Sequence, residues 1–422
     1  MFGRFGGRSV VKVAGLTKRL GAFQLRGVTF ELAPGDYAVL LGPTGCGKTV
    51  LLETIVGINR PDAGEVWLDG QDVTRWPPEQ RGIGFVYQRS MLFPNLSVRA
   101  NIAYGLRYHG VPHAERGRRV ERVAELLAIG QLLDRDIAAL SGGEMQKVAL
   151  ARALAIEPRV LLFDEPLAAL DPPAKEVLCS ELAALHRQLG MTILHVTHDQ
   201  DEARVLGRTI GVLRDGRLLQ FGPKDEVFDR PNSPFVARFV GTENVFAGEA
   251  VAEGTLSRIQ LGCGSVRAKT SLTGRVGVCV RPELVSIGPE GSALQAANHI
   301  RGKVEAVSDR GALVRYQVAT AREAFVVLQT KRDYAASGLA VGQPVTLGFE
   351  PAAVHVFPWE DNQDSGGVPC PIGPIGRIGP IGHGSTPCAR RAPPHPSYLS
   401  YRSYTSYSSP ERRCVSTLRA RR

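Results

Sequence analysis

The sequence has no run of 18 or more apolar residues, so nothing in it is long enough to cross a bilayer as a helix. Met1 to Val10 carries Arg4 and Arg8 with no apolar stretch behind them, which argues against a secretory signal. The chain is expected in the cytoplasm. Its seven cysteines are scattered at 46, 179, 263, 279, 370, 388 and 414. No two form a C-x-x-C pair, so zinc and dithiol redox motifs are not expected, and reduced thiols are. Residues 358–422 lack lysine altogether; they hold nine Arg against four acids, and so carry half of the net charge of +10. The remaining body is mildly basic. That balance suits an anionic membrane face and equally a nucleic acid, so charge does not choose between them.

With 422 residues, 43% of them apolar, the chain can build more than one core. Three zones differ in texture. Residues 1–240 alternate short β-branched runs with helical patterns, which predicts an α/β fold. In residues 241–357 helical periodicity is scarce. Short strands such as 275–281 and 312–318 sit between Gly-containing turns there, which predicts a small β-rich, barrel-like domain. Residues 358–422 are of low complexity. Gly recurs at 373, 376, 379 and 382, and Tyr at 398, 401, 404 and 407. Four Gly triplets are too few for a collagen helix, so disorder is the expectation.

Gly42, Pro43, Thr44, Gly45, Cys46, Gly47, Lys48 and Thr49 fit G-x-x-x-x-G-K-[ST]. Tyr37–Leu41 reads as a buried strand before the motif, and Val50–Val56 reads as the start of a helix after it. This strand–loop–helix context distinguishes a phosphate-binding loop from an ordinary Gly-rich turn. Backbone N–H groups would turn toward the phosphates at a helix N-terminus. Lys48 would reach the β- and γ-phosphates of ATP, and Thr49 would ligate Mg²⁺. Four apolar residues followed by Asp164 and Glu165 supply the second part. The end of that strand places Asp164 near the Mg²⁺ and Glu165 near an attacking water, where a carboxylate acts as general base.

Between these motifs stands Leu140-Ser141-Gly142-Gly143-Glu144. Here the chain, over residues 10–357, resembles the ABC transporter ATPases. The resemblance implies a P-loop NTPase domain over 1–240 with a helical subdomain over about 89–155, then a barrel-like regulatory domain over 241–357. It places Gln88 in the Q-loop, near the Mg²⁺ and the reacting phosphate. Ser141, Gly142, Gly143 and Glu144 match the signature, Asp171 the D-loop, and His198 the switch histidine. Ser141 and Gly143 would open a helix whose N–H groups form a second anion site. In the family that site caps ATP held by another copy, so a head-to-tail homodimer is implied. His195 is read as structural. The family's adenine-stacking aromatic aligns with Leu20, which has no π face, and Phe23 close by is the substitute. The 115–128 segment is expected to be helical, with Val120, Val123 and Leu127 inward. Met91, Leu92 and Phe93 are candidates either to dock an integral-membrane permease or to serve in the core.

Gly42–Gly57, Pro77–Gly84 and Leu194–His198 resemble the molybdate/tungstate importer branch. Asn298–Val304 and Ala353–Phe357 are similar to the molybdate-binding barrel often fused there. Sulfate, iron and polyamine importers also end in small barrels. The resemblance therefore implies an ATPase at the cytoplasmic face of the membrane, peripheral to its permease and indirectly served by an external substrate-binding protein. The module's oxyanion-binding runs align with Gln295-Ala-Ala-Asn298 and Glu350-Pro-Ala352, where the expected Ser, Arg and Lys are missing. A carboxylate at 350 would repel each negative charge of a bound oxyanion by about 1 kcal/mol even across 4 Å of water. Two other classes compete. A non-transport ABC protein acting on ribosomes or DNA commonly has two nucleotide domains, and this chain shows one P-loop, so nucleic acid is not the expected partner. A passive barrel with a vestigial ATPase is opposed by the intact Asp164, Glu165 and His198.

Overall fold

The computed structural model describes residues 9–292 and 294–359. The expectation of disorder over 358–422 falls outside the described residues except at its start, where Pro358 ends a strand instead. β1 (Val11–Leu20) and β2 (Phe23–Leu32) pair antiparallel, and β3 (Tyr37–Leu41) enters the interior with all five residues buried. α1 (Lys48–Val56) follows the phosphate-loop motif, two residues ahead of the expected start, because Gly47 turns the chain directly into it. β4 (Ala63–Leu68) and β5 (Gln71–Asp72) complete an outer sheet of order β2-β1-β4-β5. After β6 (Ile83–Val86) come α2 (Val98–Ala103), α3 (His113–Leu126) and α4 (Gly142–Ala155). α3 begins and ends two residues earlier than the periodicity predicts; Val120 and Val123 are buried, and Leu127 falls at the C-cap.

The chain returns to the interior as β7 (Val160–Asp164), α5 (Pro172–Leu189), β8 (Thr192–Thr197), α6 (Gln200–Leu206), β9 (Thr209–Arg214) and β10 (Arg217–Pro223). The inner sheet has the order β10-β9-β3-β8-β7-β6, parallel except for β10. β3, β7 and β8 are buried along their whole length, which is why β3 and the first four residues of β7 read as apolar runs, while β8 buries Thr192, His195 and Thr197 among its apolar residues. Because the three are parallel, the loops after Leu41, Asp164 and Thr197 emerge at one edge of the sheet. Ligands of open α/β sheets bind at that edge.

Two short helices, α7 (Lys224–Asp229) and α8 (Pro234–Phe239), lead to β11 (Asn244–Glu253), β12 (Leu256–Leu261), β13 (Gly264–Ala268), β14 (Gly274–Val280), β15 (Ser286–Pro289), β16 (Asn298–Asp309), β17 (Leu313–Ala319) and β18 (Ala324–Thr330). α9 (Lys331–Ser337), β19 (Pro344–Phe349) and β20 (Val354–Pro358) follow. They form two antiparallel sheets, β13-β12-β11-β14-β20 and β15-β19-β16-β17-β18. The strands expected at 275–281 and 312–318 are β14 and β17, each displaced by one residue. Phe246, Val278, Tyr316, Phe325 and Phe349 share one core between the sheets. Two buried asparagines join them by imitating backbone. Asn244 bonds the N–H and C=O of Val326 at 2.7 and 2.8 Å, and Asn298 bonds those of Arg267 at 2.6 and 3.0 Å. These bonds satisfy buried backbone groups of Val326 and part-buried ones of Arg267 that would otherwise be left unpaired between the sheets.

Candidate active site

Gly47 has φ +104°, and a Cβ there would stand 2.2 Å from Cζ of Phe23. Only glycine permits both the left-handed backbone and the close approach of that ring. The turn aims Lys48 back across its own loop. Its buried Nζ donates to the carbonyls of Gly42 at 2.8 Å and Pro43 at 3.2 Å, and lies 3.1 Å from Oε1 of Glu165. Thr44 and Gly45 form the exposed crest of the loop. Cys46 is buried; burial pushes its thiol pKa up, so it serves as packing and not as a nucleophile.

At the next strand end, Thr49 Oγ1 donates to Oδ1 of Asp164 at 3.0 Å. Burial raises the Asp164 pKa and the neighbouring Glu165 raises it further, against the bond from Thr49. A site where negative charge is this costly favours a bound cation. A hydroxyl and a carboxylate oxygen in contact are oxygen donors of the type Mg²⁺ takes, so the residues fit that ion. Glu165 occupies φ +45°, a left-handed conformation uncommon for a non-glycine residue, and its N–H bonds the carbonyl of Val196 at 2.9 Å. Strain of this kind marks functional turns. It swings the carboxylate between Lys48 and His198, whose Nδ1 lies 3.0 Å from Oε2.

The structure thus brings together Lys48, Thr49, Asp164, Glu165 and His198. Among the described residues, no hydrogen bond or ion pair joins Gln88, Asp171 or the 141–144 signature to that cluster. Gln88 is exposed just past β6, and Asp171 is the exposed N-cap of α5 without a side-chain cap bond. Ser141 caps α4 in a reciprocal capping box. Its N–H donates to Glu144 at 2.8 Å, and the Glu144 N–H donates to Ser141 Oγ at 3.3 Å. The bond from the Ser141 backbone, then that from its hydroxyl, holds the Glu144 carboxyl below its usual range. Phe23 is half-buried beside Gly47, while Leu20 is exposed. His195 is fully buried and bonds the Tyr37 hydroxyl through Nδ1 at 3.1 Å, in keeping with a structural role. Of the three docking candidates, Met91 is 60% exposed and Leu92 packs against the core. The Phe93 ring centroid lies 4.2 Å from that of Tyr104, and the Arg152 guanidinium stands over the Phe93 ring at 5.6 Å.

Sequence reasoning gave Arg81 no role. It is buried and donates to the carbonyls of Thr54, Ile55, Thr74 and Trp76 at 2.7–3.2 Å, closing the far end of α1. The one available signal was its place in the 77–84 segment.

A parallel sheet with a phosphate loop, an acidic pair and a histidine at one edge defines a P-loop ATPase. The family model for ABC transporters matches residues 25–168, and that for the TOBE domain matches 278–357. The molybdate/tungstate import ATP-binding protein WtpC of Pyrococcus horikoshii is 40% identical over 349 residues, covering 83% of this chain and 100% of its own. WtpC of Archaeoglobus fulgidus is 54% identical over 228 residues, 54% of this chain and 93% of its own. The spermidine/putrescine import ATP-binding protein PotA of Thermobifida fusca is 38% identical over 338 residues, 78% of this chain and 88% of its own. The chain belongs to the ABC transporter family, as an ATP-binding ATPase subunit with a C-terminal TOBE domain.

Proposed function

We propose that this chain powers an importer of molybdate or tungstate, hydrolysing ATP at the cytoplasmic face of a membrane permease. The observation that carries the substrate class is the 40% identity to the Pyrococcus protein along that protein's entire length, TOBE region included. The observation that carries the chemistry is the cluster Lys48–Glu165–His198 beside Thr49–Asp164. Residues 1–240 act as the ATPase and 241–357 as the regulatory domain. The loop of Gly42, Pro43, Thr44, Gly45, Cys46, Gly47 and Lys48 holds the phosphates. Thr49, Asp164 and, on closure, Gln88 hold Mg²⁺, which supplies charge neutralisation at the phosphates. Glu165 accepts the proton of the attacking water, and His198 orients that carboxylate and reads the γ-phosphate. Phe23 borders the adenine side of the loop.

The signature Ser141–Glu144 stands apart from this cluster, at the start of a helix where the capping box takes the N–H groups of Ser141 and Glu144 and leaves those of Gly142 and Gly143 for an anion. A second copy, arranged head to tail, brings that anion site onto the ATP together with Asp171. Met91, Phe93 and their aromatic neighbours face the permease. An external substrate-binding protein selects the cargo.

Uptake of radiolabelled molybdate and tungstate in a strain lacking this chain tests the reading. Uptake should be lost, be restored by the wild-type chain, and stay lost with Glu165→Gln. Unchanged molybdate and tungstate uptake, with spermidine or sulfate uptake abolished instead, would move the protein to a different carrier.

A further inference from the structure

A partly buried charge network links the first turn of α5 to the loop that carries His198. Nζ of Lys175, four residues past Asp171, lies 2.6 Å from Oε1 of Glu202 and also bonds Oδ2 of Asp199. Asp199 directly follows His198. Its second oxygen accepts the N–H groups of Asp201 and Glu202 at 2.7 and 3.1 Å, capping α6, and its own N–H donates to Thr197 at 3.1 Å. Glu202 is 3% exposed. Its Oε2 lies 3.3 Å from Nε2 of His195, off-axis, so neither atom has a well-formed hydrogen bond. His195 in turn reaches the Tyr37 hydroxyl on β3.

Placing charges here has a cost that only partners offset. Burial would raise the Glu202 pKa, and the contacts from His195 and Lys175 outweigh it and hold the carboxyl below its usual range. Burial would lower the Lys175 pKa, and the bonds to Asp199 and Glu202 outweigh that and hold it raised. One ammonium thus satisfies two carboxylates on the turn and helix that follow His198, while its own backbone belongs to the helix that follows Asp171. Removing it leaves Glu202 buried with an off-axis partner and frees one Asp199 oxygen.

We propose that Lys175 is a positioning residue for ATP hydrolysis, tying α5 through Asp199 and Glu202 to the turn that holds His198 against Glu165. Lys175 touches no reacting group; it fixes where the histidine stands. It also makes a movement of the 169–171 segment a movement of the histidine turn, because both ends hang on the same side chain. The proposal rests on Glu165 and His198 acting in hydrolysis.

The test uses the full-length chain with Lys175→Met, Lys175→Arg and Asp199→Asn; the last keeps an N-cap acceptor while removing the charge. In Lys175→Met and Asp199→Asn, kcat should fall tenfold or more, while the calorimetric Kd for ATP stays within twofold. Lys175→Arg should keep at least a third of wild-type kcat, since a guanidinium can reach both carboxylates. Adding Lys175→Met to His198→Ala should cause no further loss, as expected of residues acting through one another. Wild-type kcat in Lys175→Met overturns the proposal, as does a loss of ATP affinity that parallels the loss of turnover. If His198→Ala is itself fully active, the reading of His198 fails first; if His198→Ala is inactive and Lys175→Met active, only the role of Lys175 fails.

Discussion

Lys48 and Glu165 are 3.1 Å apart, yet in the proposed mechanism they serve different stages of the reaction. The ammonium is satisfied by two loop carbonyls and one carboxylate, all of which can be exchanged for phosphate oxygens. Lys48→Ala removes a charge-assisted partner worth about 1.5–3 kcal/mol, so the Kd for ATP should rise roughly tenfold or more. Glu165→Gln keeps the size of the side chain and all phosphate ligands but not the base. Its turnover should fall by about 10²–10⁴, with Kd changed little. Calorimetric titration beside phosphate release separates the two, and a Glu165→Gln chain that hydrolyses at the wild-type rate would remove Glu165 from this role. The residues proposed for these roles stand in motifs that were legible in the sequence, because phosphate and metal chemistry restricts residue types and spacing. The packing of Phe23 on Gly47 and the left-handed backbone of Glu165 were not legible, since each depends on a strand distant in sequence. The buried partners of Lys175 were hidden for the same reason: 24 and 27 residues separate it from Asp199 and Glu202, and only the parallel pairing of β3, β8 and β7 brings α5 and α6 together.

Among the elements, α1 shows how a helix that begins at a ligand site is held from its other end. It has no acidic residue in its first turn and no side-chain N-cap, so its N-terminus is left open for phosphate. Its C-terminus is closed by Arg81, which bonds Thr54 and Ile55 of the helix and reaches on to Thr74 and Trp76. A cation at that end also suits the helix dipole. Arg81→Met fills the volume but leaves four carbonyls short of a donor. The expected cost is about 3 kcal/mol, which lowers the melting temperature of the 1–240 domain by roughly 6–12 °C. Arg81→Lys should not rescue it, because a single ammonium lacks the forked reach. A circular-dichroism melt within 2 °C of wild type would show that water replaces these bonds. At this scale the buried strands and α3 could be read from apolar runs and 3.6-residue spacing. The strand order of the sheets could not, because neighbours such as β3 and β9 are joined by contacts that no local pattern records.

At the scale of the whole molecule, the question is whether the TOBE region can report oxyanion levels to the ATPase. A mechanical connection exists: Arg281 on the β-rich side donates to the Phe228 carbonyl and to Asp229, each at 2.8 Å. A ligand acts through such contacts only if it binds one arrangement more tightly than another. The positions aligned with the family's oxyanion runs are poorly equipped to bind at all. Gln295 and Ala297 are exposed and uncharged, and Glu350 is an exposed carboxylate. Asn298, the matching polar residue, is buried, and its amide is already spent on the N–H and C=O of Arg267. Lys331, a cation on α9, is paired with Asp309 at 2.8 Å, with Gly311 N–H bonded to the same carboxyl group. The β texture of this region was legible from alternation and turns, but the commitment of Asn298 was not, because it bridges two sheets. Millimolar molybdate or tungstate should therefore leave the ATPase rate of the full chain within about twofold of its ligand-free value, since without a bound anion nothing shifts between states. Rates measured across a concentration series, beside calorimetric titration of the same protein, decide the matter. Micromolar binding with inhibition at matching concentrations would mean that backbone N–H groups or Arg332 build an anion site that tolerates Glu350.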